Sequence, residues 1–204
     1  DFKAVTITYG MGEQIEFLSN HCKEHGIEHE IIDTQIFDLA GEKIRKNSSF
    51  CSFFSRMRRG YLYTTALEQG YNKVALGHHL DDAMESYFMN LFYNGTMRTM
   101  PPKYTANNGL EVIRPLIFCR ERQLRAFASS NEIRVIGDEA CPGLRFDVKM
   151  PHARAATKEL LAKLEEQNPK IFVSMKAAFS NTQLPTFFYK DLKDIKLNIE
   201  DETI

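Results

Sequence analysis

The sequence predicts an α/β protein built on a doubly wound, mainly parallel sheet. Three observations carry that class. Short apolar or β-branched runs alternate with longer segments of helical periodicity, the pattern left by βαβ units. Lys73–Gly77 (KVALG) is almost wholly apolar, as in a parallel strand covered on both faces. Leu80, Ala83, Met84, Tyr87, Phe88, Leu91 and Phe92 then follow the i, i+3, i+4, i+7 template of an amphipathic helix.

Each element has its own signal. Lys3–Tyr9 alternates apolar and β-branched residues and stops at Gly10, which suits a short strand and a turn. Glu13 to His25 reads as a helix with Ile15, Leu18 and Cys22 on one side and Gly26 as its stop. Glu28–Asp33 is a second strand. Ser49 or Ser52 is placed to cap the next helix, which carries Met57, Tyr61, Leu62 and Thr65 and ends near Gly70. After the strong helix at 80–92, Val112–Pro115 and Arg134–Ile136 are candidate strands around a helix over Arg120–Asn131. A last amphipathic helix runs from His152 to Gln167, with Leu160, Leu161 and Leu164 inward. The expected division is a main domain over 1–180 and a charged tail or arm over 181–204.

Composition narrows the class further. The chain has 204 residues, 43% hydrophobic and 26% charged, enough for one packed domain rather than a disordered chain. Its net charge of −1 supplies no global field toward nucleic acid, so any RNA contact has to come from a local patch. No apolar stretch approaches the roughly 20 residues that cross a bilayer. With no signal peptide in view, the four cysteines Cys22, Cys51, Cys119 and Cys141 read as reduced thiols of a cytoplasmic protein.

In a doubly wound sheet, ligands bind beyond the carboxyl ends of the strands, which directs attention to the residues just after Tyr9, Asp33 and Gly77. Gly77-His78-His79-Leu80-Asp81-Asp82 joins a strand to a helix whose free N–H groups and dipole favour anions. Asp81 and Asp82 read either as helix-capping carboxylates or as holders of Mg²⁺ on nucleotide phosphates. Arg56, Arg58 and Arg59 read either as a solvated helix face or as forked phosphate ligands. Cys51, near the start of that helix, and Cys141, in the loop Cys141-Pro142-Gly143, are the candidate sulfur carriers or metal ligands. Cys22 and Cys119 fit apolar structural positions. Tyr93–Lys103, with Arg98 and Pro101-Pro102, reads as a rigid connection.

Together these pieces resemble the tRNA 2-thiocytidine synthetases of the PP-loop ATP-pyrophosphatase superfamily. That family's pattern is a CxxC, an SRxRRG helix, a GHHxDD turn and a loop ending in MPP, matched here between Cys51 and Pro102. Arg114-Pro115-Leu116, Arg120-Glu121 and Cys141 extend the match. The resemblance implies a Rossmann-like, adenine nucleotide alpha-hydrolase-like fold. It also implies an enzyme that uses ATP and Mg²⁺ to adenylate C2 of an anticodon-loop cytidine in tRNA, with sulfur then replacing the oxygen. By position, Gly77, His78, Asp81 and Asp82 border ATP, Asp82 is the catalytic or Mg²⁺-binding carboxylate, and Arg56, Arg58 and Arg59 face phosphate or RNA. The implied partners are tRNA, a sulfur donor such as a cysteine desulfurase, and a second copy of the chain in a homodimer.

Two departures accompany the match. The family's SGGKDS phosphate loop is missing, and Phe2–Thr8 aligns with its second strand. The loop is expected to precede residue 1, or else that half comes from another chain; the first is favoured, because a parallel sheet lacking its central strand leaves unpaired edges on both neighbours. The second CxxC position is Phe54, so Cys51 and Cys141 match only two of the family's three ligands to a 4Fe-4S cluster. Another residue supplies the third ligand, or the cluster binds differently, or the two cysteines pass a persulfide without iron. The rival functions are a thiouridine or lysidine synthetase of the same superfamily, and a non-catalytic nucleotide- or RNA-binding relic.

Overall fold

The computed structural model describes residues 2–43, 50–136 and 152–183, with backbone alone at 41–43, 50, 51 and 152. The elements are β1 (Lys3–Ile7), α1 (Glu16–Glu24), β2 (Glu28–Ile32), α2 (Ile36–Lys43), α3 (Phe50–Glu68), β3 (Lys73–Ala75), α4 (Leu80–Tyr93), β4 (Lys103–Thr105), β5 (Glu111–Ile113), α5 (Glu121–Ser130), α6 (His152–Gln167) and α7 (Ile171–Phe179). Two compact units divide the chain, Asp1–Leu161 and Ala162–Ile204. In the second, Phe172 of α7 is buried. The part of the expected tail over 184–204 lies outside the described residues.

β1 and β2 pair in parallel, Lys3 opposite Glu28 through Ile7 opposite Ile32, joined by α1. β3 pairs in parallel with β5, and β4 adds to β5 antiparallel, giving the order β3-β5-β4. Two parallel pairs with intervening helices give the α/β, Rossmann-like class the sequence implies. Helix α3 packs against both β1 and β3 and spans the two ladders. The main core gathers Ile7, Ile36, Ala40, Phe53 and Phe54, with Met57, Tyr61 and Leu62 of α3 against it. Gly10 makes the turn after β1 possible. Its φ is +81°, and a Cβ there would sit 2.6 Å from the Thr34 carbonyl oxygen.

Several expectations are corrected. Arg134–Ile136 forms no strand, and Val135 and Ile136 are exposed, because no neighbouring strand offers it a ladder among the described residues. Arg134 instead lies over the Phe17 ring at 4.3 Å. KVALG is not covered on both faces: β3 is only three residues long, and Lys73 and Ala75 are exposed. Its ladder runs to β5 alone among the described strands, and Ala75, Leu76 and Gly77 line a cavity. Ser52 lies inside α3 rather than capping it, and Ser49 is outside the described residues. α1 begins at Glu16, three residues later than expected. Leu160 faces outward while Leu161 is buried, and Phe92 is exposed at the end of α4.

Candidate functional site

The site is built where the strands of the first unit end. A cavity of about 690 Å³ is lined by Val5–Tyr9 of β1 and its exit, by Ala75–His79 and by Asp82, with Arg58 and Leu62 of α3 beside them. A second cavity of about 850 Å³ shares Thr8, Glu13 and Ile15 and adds Asp33, Thr34, Asp38 and Tyr61. The residues at the carboxyl ends of β1, β2 and β3 thus line neighbouring cavities, as the ligand rule for open α/β sheets requires. Thr8 and Thr34 lock the exits of β1 and β2 together. Thr34 Oγ1 donates to the Thr8 carbonyl at 2.6 Å, and the Thr34 N–H donates to Thr8 Oγ1 at 3.1 Å. Thr8 Oγ1 in turn donates to Asp33 Oδ1 at 3.2 Å.

The turn Gly77–Asp82 is fixed by a reciprocal cap. His79 is the N-cap of α4; its N–H donates to Asp82 Oδ2 at 3.0 Å, and the Asp82 N–H donates to His79 Nδ1 at 3.4 Å. One oxygen of Asp82 therefore does the ordinary work of a cap. Its other oxygen, Oδ1, accepts from Arg154 of α6 at 2.7 Å. Arg154 Nε also donates to Glu85 Oε2 at 2.7 Å, one turn along α4, where the Glu85 side chain is only 6% exposed. Burial works against the charge on Arg154, but Glu85 and Asp82 outweigh it and raise its pKa.

Asp81 is committed elsewhere. Arg120 Nε lies 3.1 and 3.2 Å from its two oxygens, Arg120 Nη2 lies 3.0 Å from Oδ1, and the Glu121 N–H donates to Oδ2 at 2.7 Å. This bidentate clamp ties the start of α4 to the start of α5. The Leu80 N–H strengthens it by donating to the Cys119 carbonyl at 2.8 Å.

His78 adds a different kind of group to the cavity lining. Its Nδ1 is buried and has no hydrogen-bond partner among the described residues. Burial lowers its pKa; Asp82 opposes this, and Arg114, Arg58 and Arg154 reinforce it. The imidazole is thus held neutral at pH 7, with one nitrogen unsatisfied. Arg114 is buried behind it, over the Tyr104 ring at 5.2 Å and donating from Nη1 to the Pro101 carbonyl at 2.7 Å. The Tyr104 hydroxyl meets that of Tyr63 at 2.7 Å, and burial together with this bond pushes the Tyr63 pKa up to about 12.

Of the residues expected from sequence, Gly77, His78 and Asp82 line one cavity with Arg58. Arg56 and Arg59 are exposed on the same helix. For Cys51 only the backbone, in the first turn of α3, is described, and Cys141 lies outside the described residues. Phe54 is 3% exposed in the core, edge-on to Tyr9 at 5.3 Å and to Phe53 at 5.6 Å. Glu85, Arg114, Arg120 and Arg154 belong to the site's framework and were not among the expected site residues. Arg114 and Arg120 lie in stretches the family pattern marks, and Glu85 is a charged residue at a buried helical register, a signal that could have found it. Nothing in the sequence singles out Arg154.

The model of the PP-loop domain family matches residues 3–149, most of the chain and all the cavity-lining turns just described. The chain belongs to the PP-loop family. Its curated relatives include tRNA-cytidine(32) 2-sulfurtransferases. That of Geobacter metallireducens is 41% identical over 90% of this chain and 70% of its own length. That of Geobacter sulfurreducens is 38% identical over 88% of this chain and 69% of its own, and that of Ralstonia pickettii 36% identical over 86% and 57%. Among solved structures, the U34-tRNA thiolase NcsA from Methanococcus maripaludis, with its [4Fe-4S] cluster, matches with a TM-score of 0.70 at 20% identity. That match covers 98% of this chain and 65% of that one, and establishes shared fold alone. The PP-loop chain described here therefore spans only part of each of these proteins.

A nucleotide fits the residues present. The cavity has the size of small-molecule sites, His78 and Asp82 are among its lining residues, and the Asp82 carboxylate, shared with the His79 N–H and Arg154, is the kind of hard oxygen donor that suits Mg²⁺. A cluster held by three cysteines does not find its set among the described residues. Phe54 occupies one position inside the core, and neither Cys22 nor Cys119 belongs to a close group of metal-ligating side chains there.

Proposed function

We propose that this chain is the larger part of an ATP-dependent tRNA sulfurtransferase that makes 2-thiocytidine in the anticodon loop. The observation that carries the reading is the match to tRNA-cytidine(32) 2-sulfurtransferases at up to 41% identity over 90% of the chain, with the GHHLDD turn lining a nucleotide-sized cavity. The cytidine O2 attacks the α-phosphorus of ATP and pyrophosphate leaves. A sulfur nucleophile then adds at C2 and AMP departs with the original oxygen, so sulfur replaces oxygen with no net redox change at the base. Mg²⁺, when bound, would offset the charge of the phosphates.

The protein's own groups divide that work. Asp82, at the cavity wall and paired with Arg154, presents the carboxylate nearest the phosphates. Neutral His78 lines the nucleotide cavity without adding charge. Arg58, at the cavity wall, and exposed Arg56 and Arg59 offer bidentate contacts to phosphate or to the RNA backbone. Asp81, held by Arg120, positions the turn. Cys51 and Cys141 are the proposed sulfur-handling pair, and no step is routed through a metal cluster. A cytoplasmic location goes with this proposed activity on tRNA. No described helix is long and apolar enough to cross a membrane.

The test is tRNA-dependent pyrophosphate release by the intact protein and its Asp82→Asn variant. The expected outcome is release by the wild type, lowered by about 100-fold or more in the variant, as for loss of a positioned charged group. Equal release by both would remove Asp82 from the adenylation step.

A further inference from the structure

A second cluster of chemistry-bearing side chains lies at the other end of the first βαβ unit. His21 and Glu24 end helix α1, His25 caps it, and Gly26 breaks it at φ +65°. The spacing i, i+3, i+4 puts all three over one turn. Their ligand atoms lie within 4.8 Å of one another, and the two imidazole centroids are 4.3 Å apart with planes inclined at 36°.

Two further observations point to a cation there. His25 Nδ1 lies 2.9 Å from the His21 carbonyl oxygen. A carbonyl only accepts, so Nδ1 carries the hydrogen and Nε2 is the ring nitrogen left to ligate. Metal-binding histidines are oriented by the same kind of second bond. The cluster also sits at the carbonyl end of α1, where the helix dipole is negative, and Glu24 adds a full negative charge. His29, nearby in sequence on β2, makes a useful contrast. Both its ring nitrogens are taken, one by Thr6 Oγ1 and one by Ser19 Oγ, each at 2.9 Å.

We infer that His21, Glu24 and His25 form a surface site for a divalent transition ion of the imidazole-binding kind, with two nitrogens and one carboxylate oxygen as protein ligands and water completing the shell. Zn²⁺, Ni²⁺ and Cu²⁺ suit that donor set; Mg²⁺ does not. Metal–nitrogen bonds of roughly 2.0–2.1 Å would bring the ligand atoms to about 3.3 Å from one another. Glu24 and His25 are exposed and His21 half-buried, so side-chain rotation closes that gap without moving the backbone. The site adjoins the amino end of β2, whereas the nucleotide cavities open at its carboxyl end. Metal there braces the α1–β2 corner and leaves the chemistry of the main site untouched.

The experiment is calorimetric titration of the tag-free protein with Ni²⁺ in thiol-free buffer, alongside His21→Ala, His25→Ala and Cys22→Ser. The expected result is one Ni²⁺ equivalent whose affinity falls by about 10-fold or more in either histidine variant, the usual cost of a lost contact at a metal. Cys22→Ser should match the wild type. Ni²⁺ should also raise the melting temperature of the wild type and not of the histidine variants. Equal affinity in His25→Ala, or loss of binding in Cys22→Ser, would overturn the assignment.

Discussion

Arg154→Ala tests the framework of the candidate site most sharply. The guanidinium bridges Glu85 Oε2 and Asp82 Oδ1, each at 2.7 Å. Removing one partner of a fully buried ion pair costs about 3–5 kcal/mol, because the other charge is stranded. An exposed pair costs about 0–1 kcal/mol. This bridge lies between those limits: the Glu85 and Asp82 side chains are 6% and 16% exposed, but that of Arg154 is 55% exposed. Water reaches the pair from the arginine side, so a loss of about 2 kcal/mol is expected, or roughly 4–8 °C in melting temperature for a chain of this size. Urea denaturation of the wild type, Arg154→Ala, Glu85→Gln and the double variant completes a cycle. Glu85→Gln should recover most of the loss, with a coupling energy of about 1 kcal/mol or more. An Arg154→Ala variant within about 0.5 kcal/mol of the wild type, or a coupling near zero, would show that the bridge does not hold α6 to α4.

Two further variants probe the core and the cavity. Phe54→Ala should lose about 3–5 kcal/mol, the cost of emptying a buried aromatic position, and a loss below about 1 kcal/mol in denaturant would contradict its packing in the core. His78 is held below its ordinary pKa by burial, so the unfolded chain takes up its proton first as pH falls. Its contribution to stability is constant above the unfolded value of about 6.5 and is lost as pH drops from there toward the folded value. His78→Gln should remove that part of the acid sensitivity. Parallel stability-versus-pH curves for the variant and the wild type between about pH 6.5 and 5 would refute the neutral, desolvated imidazole.

How much of this was legible in the sequence depended on whether the signal was local. Helix α4 was plain, since Leu80, Ala83 and Met84 repeat at helical spacing and all three are buried. The GHHLDD turn was legible as a site because a strand, a glycine and paired acids fall where open α/β sheets bind ligands. Signals that depend on partners misled. Arg134-Val135-Ile136 has strand-like residues but no ladder among the described residues, while Lys103–Thr105 forms β4 beside Glu111–Ile113. The short helix α2, with Gly41 inside it, gave too weak a pattern to be assigned. Asp81 and Asp82 look equivalent in sequence, yet Asp81 is held by Arg120 of the α5 start, while Asp82 lines the cavity and is held by Arg154 of α6. That difference rests on residues 39 and 72 positions away.

The most direct test of the central claim is mass spectrometry of tRNA nucleosides from a strain lacking the full-length gene. Complementation would use the intact gene, Asp82→Asn and Cys51→Ser. The account predicts that 2-thiocytidine disappears on deletion and returns only with the intact gene. Unchanged 2-thiocytidine in the deletion strain, or the loss of a different modified nucleoside in its place, would contradict it.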